Sequence, residues 1–375
     1  MTDRTPEADI DWPPAMKLVM TLLARDEADI VEAWLAFHLN AGADFVIATD
    51  NRSEDGTTEV LERYAREGHV HLIREPGEDL RQDEWVTRMA RLAATEFAAD
   101  WVINSDADEF WWPRGASLAE MLAAVPERYG TVSGFLRTFV PRPGEGDFAE
   151  RMTVRFSALA PINDPASLYK PIRKVVHRAH PQIRLTRGNH AVVDSPFAPL
   201  RGWFPIEVFH FPIRTFEQFE HKTELQRNAF EQYVDRPPTG YHARMFDAMR
   251  DGRMAEHYAS LLVSDEELAA GRADGRLVDD TRLRDALLLL RAAGGGFLFP
   301  ADAPSLAFPT PTLVEDADYA VEAAVLGEAD VVRLQRRLDT LERRLASIEL
   351  RLPNRVYRKA SAAAKRMLGR DGNTG

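Results

Sequence analysis

Residues Trp101–Trp112 read WVINSDADEFWW, and this stretch decides the fold. The apolar run Trp101–Ile103 has strand composition and stops at Ser105, giving way to three carboxylates, Asp106, Asp108 and Glu109. Charge delivered where a buried strand reaches the surface is the arrangement of open α/β sheets, which bind ligands at the carboxyl ends of their strands. Side chains two apart in an extended segment share a face, so Asp106 and Asp108 are expected to converge on one hard divalent cation. The flanking Phe110, Trp111 and Trp112 make such charges expensive to hold unless they are used.

Upstream, Lys17–Leu23 reads as a nearly continuous apolar strand, Asp29–Ala41 as an amphipathic helix ending near Gly42, and Phe45–Thr49 as a second strand. A helix over Thr57–Glu67, a strand over Val70–Ile73 and a helix over Gln82–Ala98 follow. This alternation predicts right-handed βαβ crossovers and a mostly parallel sheet with helices on both faces. Downstream, Ser117 is expected to cap a helix over Ser117–Val125. Gly130–Val140, Met152–Phe156, Lys170–His177 and Ile206–Phe211 read as strands, so the middle of the chain is mixed. From Thr215 helices dominate, including Phe216–Val234 and Thr281–Ala293, broken by the Gly- and Pro-rich stretch Gly294–Pro311.

Near the carboxyl end, Val331, Leu334, Leu338, Leu341, Leu345, Ile348 and Leu352 alternate in steps of three and four, the a/d seam of a coiled coil, which predicts a homo-oligomer. Beyond Pro353 the segment RVYRKASAAAKRMLGR mixes basic and apolar residues, a pattern that suits either a peripheral contact with an anionic membrane or a solvated tail. From Val331 to Gly375 there are 12 Lys and Arg against 4 Asp and Glu, although the whole chain carries a net charge of −12. That overall charge argues against a nucleic-acid partner. The 375 residues contain no cysteine, which excludes disulfides and thiolate metal sites. With no export signal and no run of about 18 apolar residues, a cytoplasmic location is expected, with the inner membrane face as the place of any peripheral contact.

Two further acidic loops follow the first two strands: ARDEADIV, Ala24–Val31, and TDNRSEDGT, Thr49–Thr57. Taken alone, Asp26 and Asp29 read as helix-capping carboxylates, and Asp50 and Asp55 as turn formers. Together with Asp106 and Asp108 they bring three acidic loops to the ends of neighbouring strands. A nucleotide site needs such convergence, with carboxylates to meet base and ribose and a metal to neutralise a diphosphate.

The ordered set RDEADIVEAWLAFHLNAGADFVIATDNRSEDGT, then Gln82 and Trp85, then ADWVINSDADEFWW, resembles glycosyltransferase family 2 and its bacterial relatives of nucleotide-sugar-binding GT-A fold. The resemblance is firmest over residues 16–125 and looser to about 225. It implies an α/β, GT-A (Rossmann-like) domain with a mixed sheet over residues 16–215. Around it are expected an amino-terminal tail (1–15), a helical extension (216–325), the coiled coil (326–352) and a basic tail (353–375). It also implies sugar transfer from a UDP- or GDP-type donor to a glycan or glycolipid acceptor. Asp106 and Asp108 would hold Mn²⁺ or Mg²⁺; Asp50 would meet the base or ribose; Arg25, Glu27, Asn51 and Asp55 would line the same pocket. Lys174 and Arg173 are candidates for diphosphate contacts. His190 and His210 are candidates for a further metal ligand, and His221 and Lys222 for the acceptor side. No Glu-Asp pair follows the DxD motif, so Asp194 and Glu207, and after them Asp147, are the candidate catalytic bases. Glu109 is read either as orienting the metal ligands or as capping the next turn. Two rivals remain: a nucleotidyltransferase, disfavoured because ARDEADIV has no glycine, and a coiled-coil scaffold that binds nucleotide sugar without turnover.

Overall fold

Leu18–Ala24 (β1), Val31–Asn40 (α1), Phe45–Asp50 (β2), Thr57–Arg66 (α2), Val70–Arg74 (β3), Gln82–Thr95 (α3) and Trp101–Asp106 (β4) alternate as the sequence predicts. The computed structural model describes residues 16–77, 81–144, 146–157, 172–233, 238, 240–324, 338 and 340–343. β1 pairs in parallel with β2 on one side and β4 on the other, with β3 outside β2. The order in which successive strands are added therefore reverses between β1 and β4, which opens the crevice where doubly wound sheets bind ligands.

Helices cover both faces. α1 buries Trp34, Leu35 and Phe37 against Leu18, Met20 and Leu22 on one face, while α3 packs Val86, Met89 and Ala93 against Val19, Ile47 and Val102 on the other. Each large apolar side chain removed from water in this way stabilises by roughly 1.5–3 kcal/mol. Gly42, at φ +109°, turns the chain sharply after α1, and its missing side chain leaves room for Ser117 and Ala119.

The second half of the sheet is built by Glu109–Pro113 (β5), Tyr129–Thr138 (β6), Arg173–Arg178 (β8) and Ile206–His210 (β12). Between them lie Leu118–Ala123 (α4), Phe148–Arg151 (α5), Val154–Phe156 (β7), Arg184–Leu185 (β9), Val192–Val193 (β10) and Ala198–Pro199 (β11). The sheet order is β3-β2-β1-β4-β8-β6-β12-β5, with β11 alongside β6. β8 runs antiparallel to both β4 and β6, so the class is mixed α/β as expected. The strand expected over Lys170–His177 lies one residue later at its carboxyl end, and residues 158–171 are outside the described set. β5 escapes a periodicity reading because Phe110, Trp111 and Trp112 are all buried, leaving no alternation. Ser117 does cap α4, in a capping box with Glu120.

Phe216–Tyr233 (α6), Tyr241–Arg250 (α7), Met254–Ala259 (α8), Asp265–Ala273 (α9), Leu277–Asp279 (β13) and Arg282–Leu290 (α10) complete the described elements. Residues 313–324 are also helical. No helix among the described residues is long and apolar enough to cross a membrane.

The chain divides into two units, Met1–Glu322 and Ala323–Gly375. In the second, the described residues are helical, and Leu338 and Leu341 of the expected heptad seam are exposed. The rest of that seam, the basic tail 353–375 and the amino-terminal tail 1–15 lie outside the described residues.

Candidate active site

Three strands end side by side at the crevice. Ala24 of β1 is in register with Asp50 of β2, and Leu23 with Asp106 of β4, so the loops that follow open onto one cavity of about 550 Å³. That volume suits a bound small molecule. Its lining includes Arg25, Asp26, Glu27, Asn51, Asp106, Asp108, His190 and His210. It also includes one stripe of α6: Gln218, His221, Lys222, Leu225, Gln226 and Ala229. These recur every three or four residues and so share a helix face. The opposite face of α6 is anchored by Phe219, whose neighbours are Met245 and Phe246 of α7 and Met254 of α8.

Asp106 and Asp108 do not lie in one extended segment, because Ala107 and Asp108 form the turn between β4 and β5. Asp106 accepts from Gln82 Nε2 (3.3 Å) and Lys174 Nζ (3.3 Å). Asp108 accepts from Lys222 Nζ at 2.7 Å and lies 3.8 Å from His210 Nε2. The pairing of β12 with β5 sets His210 directly opposite Glu109. Ligand atoms of Asp108, Glu109 and His210 consequently fall within 4.8 Å of one another, close enough to share a cation. Asp106 and His190 line the cavity outside that trio.

Burial acts on each member differently. It pushes Glu109 up to about 8, against the pull of the Lys174 ammonium 2.5 Å away. It drives His210 down to about 4 in spite of Asp108, leaving a neutral imidazole that can act as a ligand. Burial would also raise Asp108, but Lys222, His210 and Arg214 hold it well below the usual carboxylate range. Lys174 and Lys222 both stay charged, raised by their carboxylate partners although burial opposes it. Lys174 is the more fixed of the two: its side chain is 4% exposed and it also donates to the Gly188 carbonyl at 2.8 Å.

A second tier holds the first. Arg214, fully buried just beyond β12, donates to Glu27 at 2.5 Å and to both oxygens of Asp29 at 2.6 and 2.9 Å. Glu27 in turn accepts from Lys222 at 3.2 Å. The helix-capping reading of Asp26 and Asp29 is thereby corrected. α1 starts at Val31 with no side-chain cap, because Asp29 is drawn to Arg214 and Asp26 to the Glu54 amide (2.8 Å) and His221 (2.7 Å). Asn51 is locked by Gly77 and Glu75 carbonyls and accepts from Arg25 at 3.3 Å.

Several expected site residues do other work. Asp50 is buried and takes the Ser53 amide and the Thr58 hydroxyl, and Asp55 takes the Ala28 and Thr57 amides and the Thr57 hydroxyl. Both organise the β1 and β2 loops, and neither lines the cavity. Of the two candidate bases, Glu207 is buried on β12 between Arg137 (2.8 Å) and Arg282 (2.7 Å), and Asp194 is paired with Arg184 on the surface with both side chains 60% exposed. Neither lines the cavity either. Asp147 caps α5 and pairs with Arg291. Sequence reasoning missed Arg214 and Gln218, because Glu27 and the rest of the cavity lining come from distant parts of the chain.

Residues 20–143 match the family model of glycosyltransferase family 92. This span runs from β1 to just past β6 and includes the acidic loops after β1, β2 and β4, so the part of the chain that carries those loops is the part that matches a glycosyltransferase domain. The matching model is family 92, where the motifs resemble family 2. Comparison with curated proteins gives no match. Among solved structures, TarS 1–349 of S. aureus is 12% identical, over 72% of this chain and 90% of that one, with a TM-score of 0.28. The mannosyltransferase PcManGT of Pyrobaculum calidifontis, solved with GDP-Man and Mn²⁺, is 13% identical over 85% and 87%, with a TM-score of 0.29. Glucosyl-3-phosphoglycerate synthase of Mycobacterium tuberculosis, solved with Mn²⁺, UDP-Glc and phosphoglyceric acid, is 17% identical over 44% and 57%, with a TM-score of 0.24.

Proposed function

We propose that the cavity binds a nucleoside diphosphate sugar together with Mn²⁺ or Mg²⁺ and transfers the sugar to an acceptor hydroxyl. The observation that carries this reading is the convergence of Asp108, Glu109 and His210 within 4.8 Å beside the crevice of a sheet whose strands β1 to β6 lie in a match to a glycosyltransferase family. Two carboxylates and a neutral imidazole form a donor set that suits such an ion. Electrostatics agree: among the described residues Asp26, Glu27, Asp29, Asp106, Asp108 and Glu109 pair with Arg25, Arg214, Lys174 and Lys222, and with the imidazoles of His210 and His221, so six acidic groups stand against four permanent cations. A bound divalent ion supplies Lewis-acid stabilisation of the departing diphosphate.

The chain's own residues orient the donor. Gln218 lines the cavity and has a buried Nε2 with no hydrogen-bond partner among the described residues, a donor that a ligand oxygen would satisfy. Asn51 and Arg25 offer a rigid polar edge for base or ribose, and Lys222 a cation for phosphate. With Asp194 and Glu207 off the cavity, acceptance of the acceptor's proton falls to His221, whose ring is fixed by Asp26 at 2.7 Å. His221→Gln is expected to lower kcat by at least ~100-fold with little change in donor affinity.

In this reading the acceptor is a glycan or glycolipid, reached from the cytoplasmic membrane face through the basic segment 353–375, and the heptad seam joins copies of the chain. Loss of anionic-liposome binding on removing residues 353–375 would support that placement; unchanged binding would remove its basis. The donor reading is tested by thermal shift with UDP- and GDP-sugars, with and without Mn²⁺. A ligand at ~100 times its Kd stabilises by ~2.7 kcal/mol. No metal-dependent shift with any donor would overturn it.

A further inference from the structure

Lys222 stands where a cation would be expected to act. Its ammonium lies 2.7 Å from Asp108 Oδ2, the same oxygen that faces His210 Nε2 at 3.8 Å, and 3.2 Å from Glu27 Oε1. Lys174 plays a comparable part toward Asp106 and Glu109, but it is fixed by three partners and closed off from the cavity. Lys222, by contrast, is one third exposed, projects from the cavity-facing stripe of α6 and, among the described residues, is tied to two carboxylates. An ammonium held at hydrogen-bond distance on the Asp108 carboxylate and a divalent ion bound to the same carboxylate would repel each other strongly.

We propose that Lys222 is a displaceable occupant of the cation position, which a divalent ion must evict from Asp108 and which a nucleoside diphosphate then receives. Eviction alone leaves an ammonium beside a newly bound divalent charge and is unfavourable. A diphosphate in the same cavity gives that ammonium a new anionic partner and removes the penalty. Metal and donor nucleotide therefore bind cooperatively, each favouring the other by the same factor as linkage requires. The empty protein is protected from binding stray divalent ions, because Asp108 already has a partner in the Lys222 ammonium. This rests on the proposed donor and metal reading and adds to it the order and coupling of binding.

The experiment is a calorimetric titration of the full chain with Mn²⁺, without and with UDP, then repeated with GDP. Wild type is compared with Lys222→Met, Lys222→Gln and Arg25→Met, and melting temperatures are recorded with and without Mn²⁺. In the nucleotide-free protein, both Lys222 variants are expected to bind Mn²⁺ at least tenfold more tightly than wild type, and the enhancement by nucleotide to shrink at least fivefold. Without metal they are expected to melt below wild type, since Asp108 has lost its partner, and Mn²⁺ is expected to restore more of that loss than it adds to wild type. Arg25→Met removes a cavity charge without touching Asp108 and is expected to change Mn²⁺ affinity less than threefold. A lysine that merely holds the fold together would lower the melting temperature and leave Mn²⁺ affinity unchanged, which overturns the proposal alone. An equal gain in Arg25→Met would do the same by assigning the effect to general charge. If wild type binds no Mn²⁺ even with either nucleotide, the metal reading falls and the proposal with it. Binding that then appears only in the Lys222 variants would identify the ammonium as a permanent replacement for the ion.

Discussion

The molecule buries two clusters of charge, and they are built on opposite plans. Around Glu207, the acids Glu207, Asp280 and Glu322 meet Arg137, Arg155 and Arg282, three of each sign. Around Asp108, acids outnumber bases and the cluster opens onto the cavity. A closed network in which these charges are matched ties β6, β12, α10 and Glu322 together. An unmatched one that faces solvent is poised to take a cation. The difference shows that a buried carboxylate announces function only when its neighbours fail to neutralise it.

Breaking the closed cluster gives the largest effect. Glu207→Gln leaves Arg137 and Arg282 facing each other's charge, and is expected to cost about 3–5 kcal/mol in chemical denaturation while the remaining folded protein keeps its activity. A variant as stable as wild type but inactive would reverse the roles assigned to the two clusters. Asp108→Asn is expected to do the converse, cutting transfer by at least ~100-fold, or about 2.7 kcal/mol of transition-state stabilisation, with a much smaller change in unfolding.

A pH titration sharpens the contrast. His177 is buried in the chain Thr21–Asn104–His177, accepting from Asn104 Nδ2 at 2.8 Å, and burial drives it down to about 4. Between pH 6.5 and about 4 the unfolded chain takes up a proton that the folded protein refuses, so stability falls as the pH drops through that window and is regained above it. The loss is about 1.4 kcal/mol per pH unit for this group, and denaturation of His177→Gln is expected to show a shallower slope there. An unchanged slope would place the proton elsewhere. The smallest effect belongs to Asp194→Asn, an exposed pair with Arg184, expected to change stability by less than ~0.5 kcal/mol and activity not at all. A tenfold loss of activity would return Asp194 to the list of candidate bases.

The parallel half of the sheet was legible because its strands carry their charges only at the ends. Leu18–Leu22 and Trp101–Ile103 are buried on both faces, so an unbroken apolar run sufficed to find them and the acidic loops after them. The other half hides its logic. Lys174, Arg137, His177 and Glu207 lie in strand interiors, where a polar residue ordinarily signals a solvent face, and their partners sit roughly 70 residues away in the chain. Lys174 was found as a cation and Glu207 as a carboxylate, yet only the folded arrangement shows that the first belongs to the cavity cluster and the second to the closed one. The same distance effect hid Arg214, which meets Glu27 across 187 residues.

The antiparallel ladder between β5 and β12 has a further consequence. Because His210 is opposite Glu109 by backbone hydrogen bonding, two of the three ligands are indexed to the ladder, and Asp108 follows from the tight turn that precedes Glu109. Lengthening the connection from β5 to β12 leaves that pairing untouched, whereas one residue inserted within Ile206–His210 would turn the imidazole to the far side of the sheet and bring Phe209 into its place, and one inserted within Glu109–Pro113 would put Glu109 out of step with His210. Natural variation in length is therefore expected to spare those two five-residue segments and to accumulate in the connections that join them.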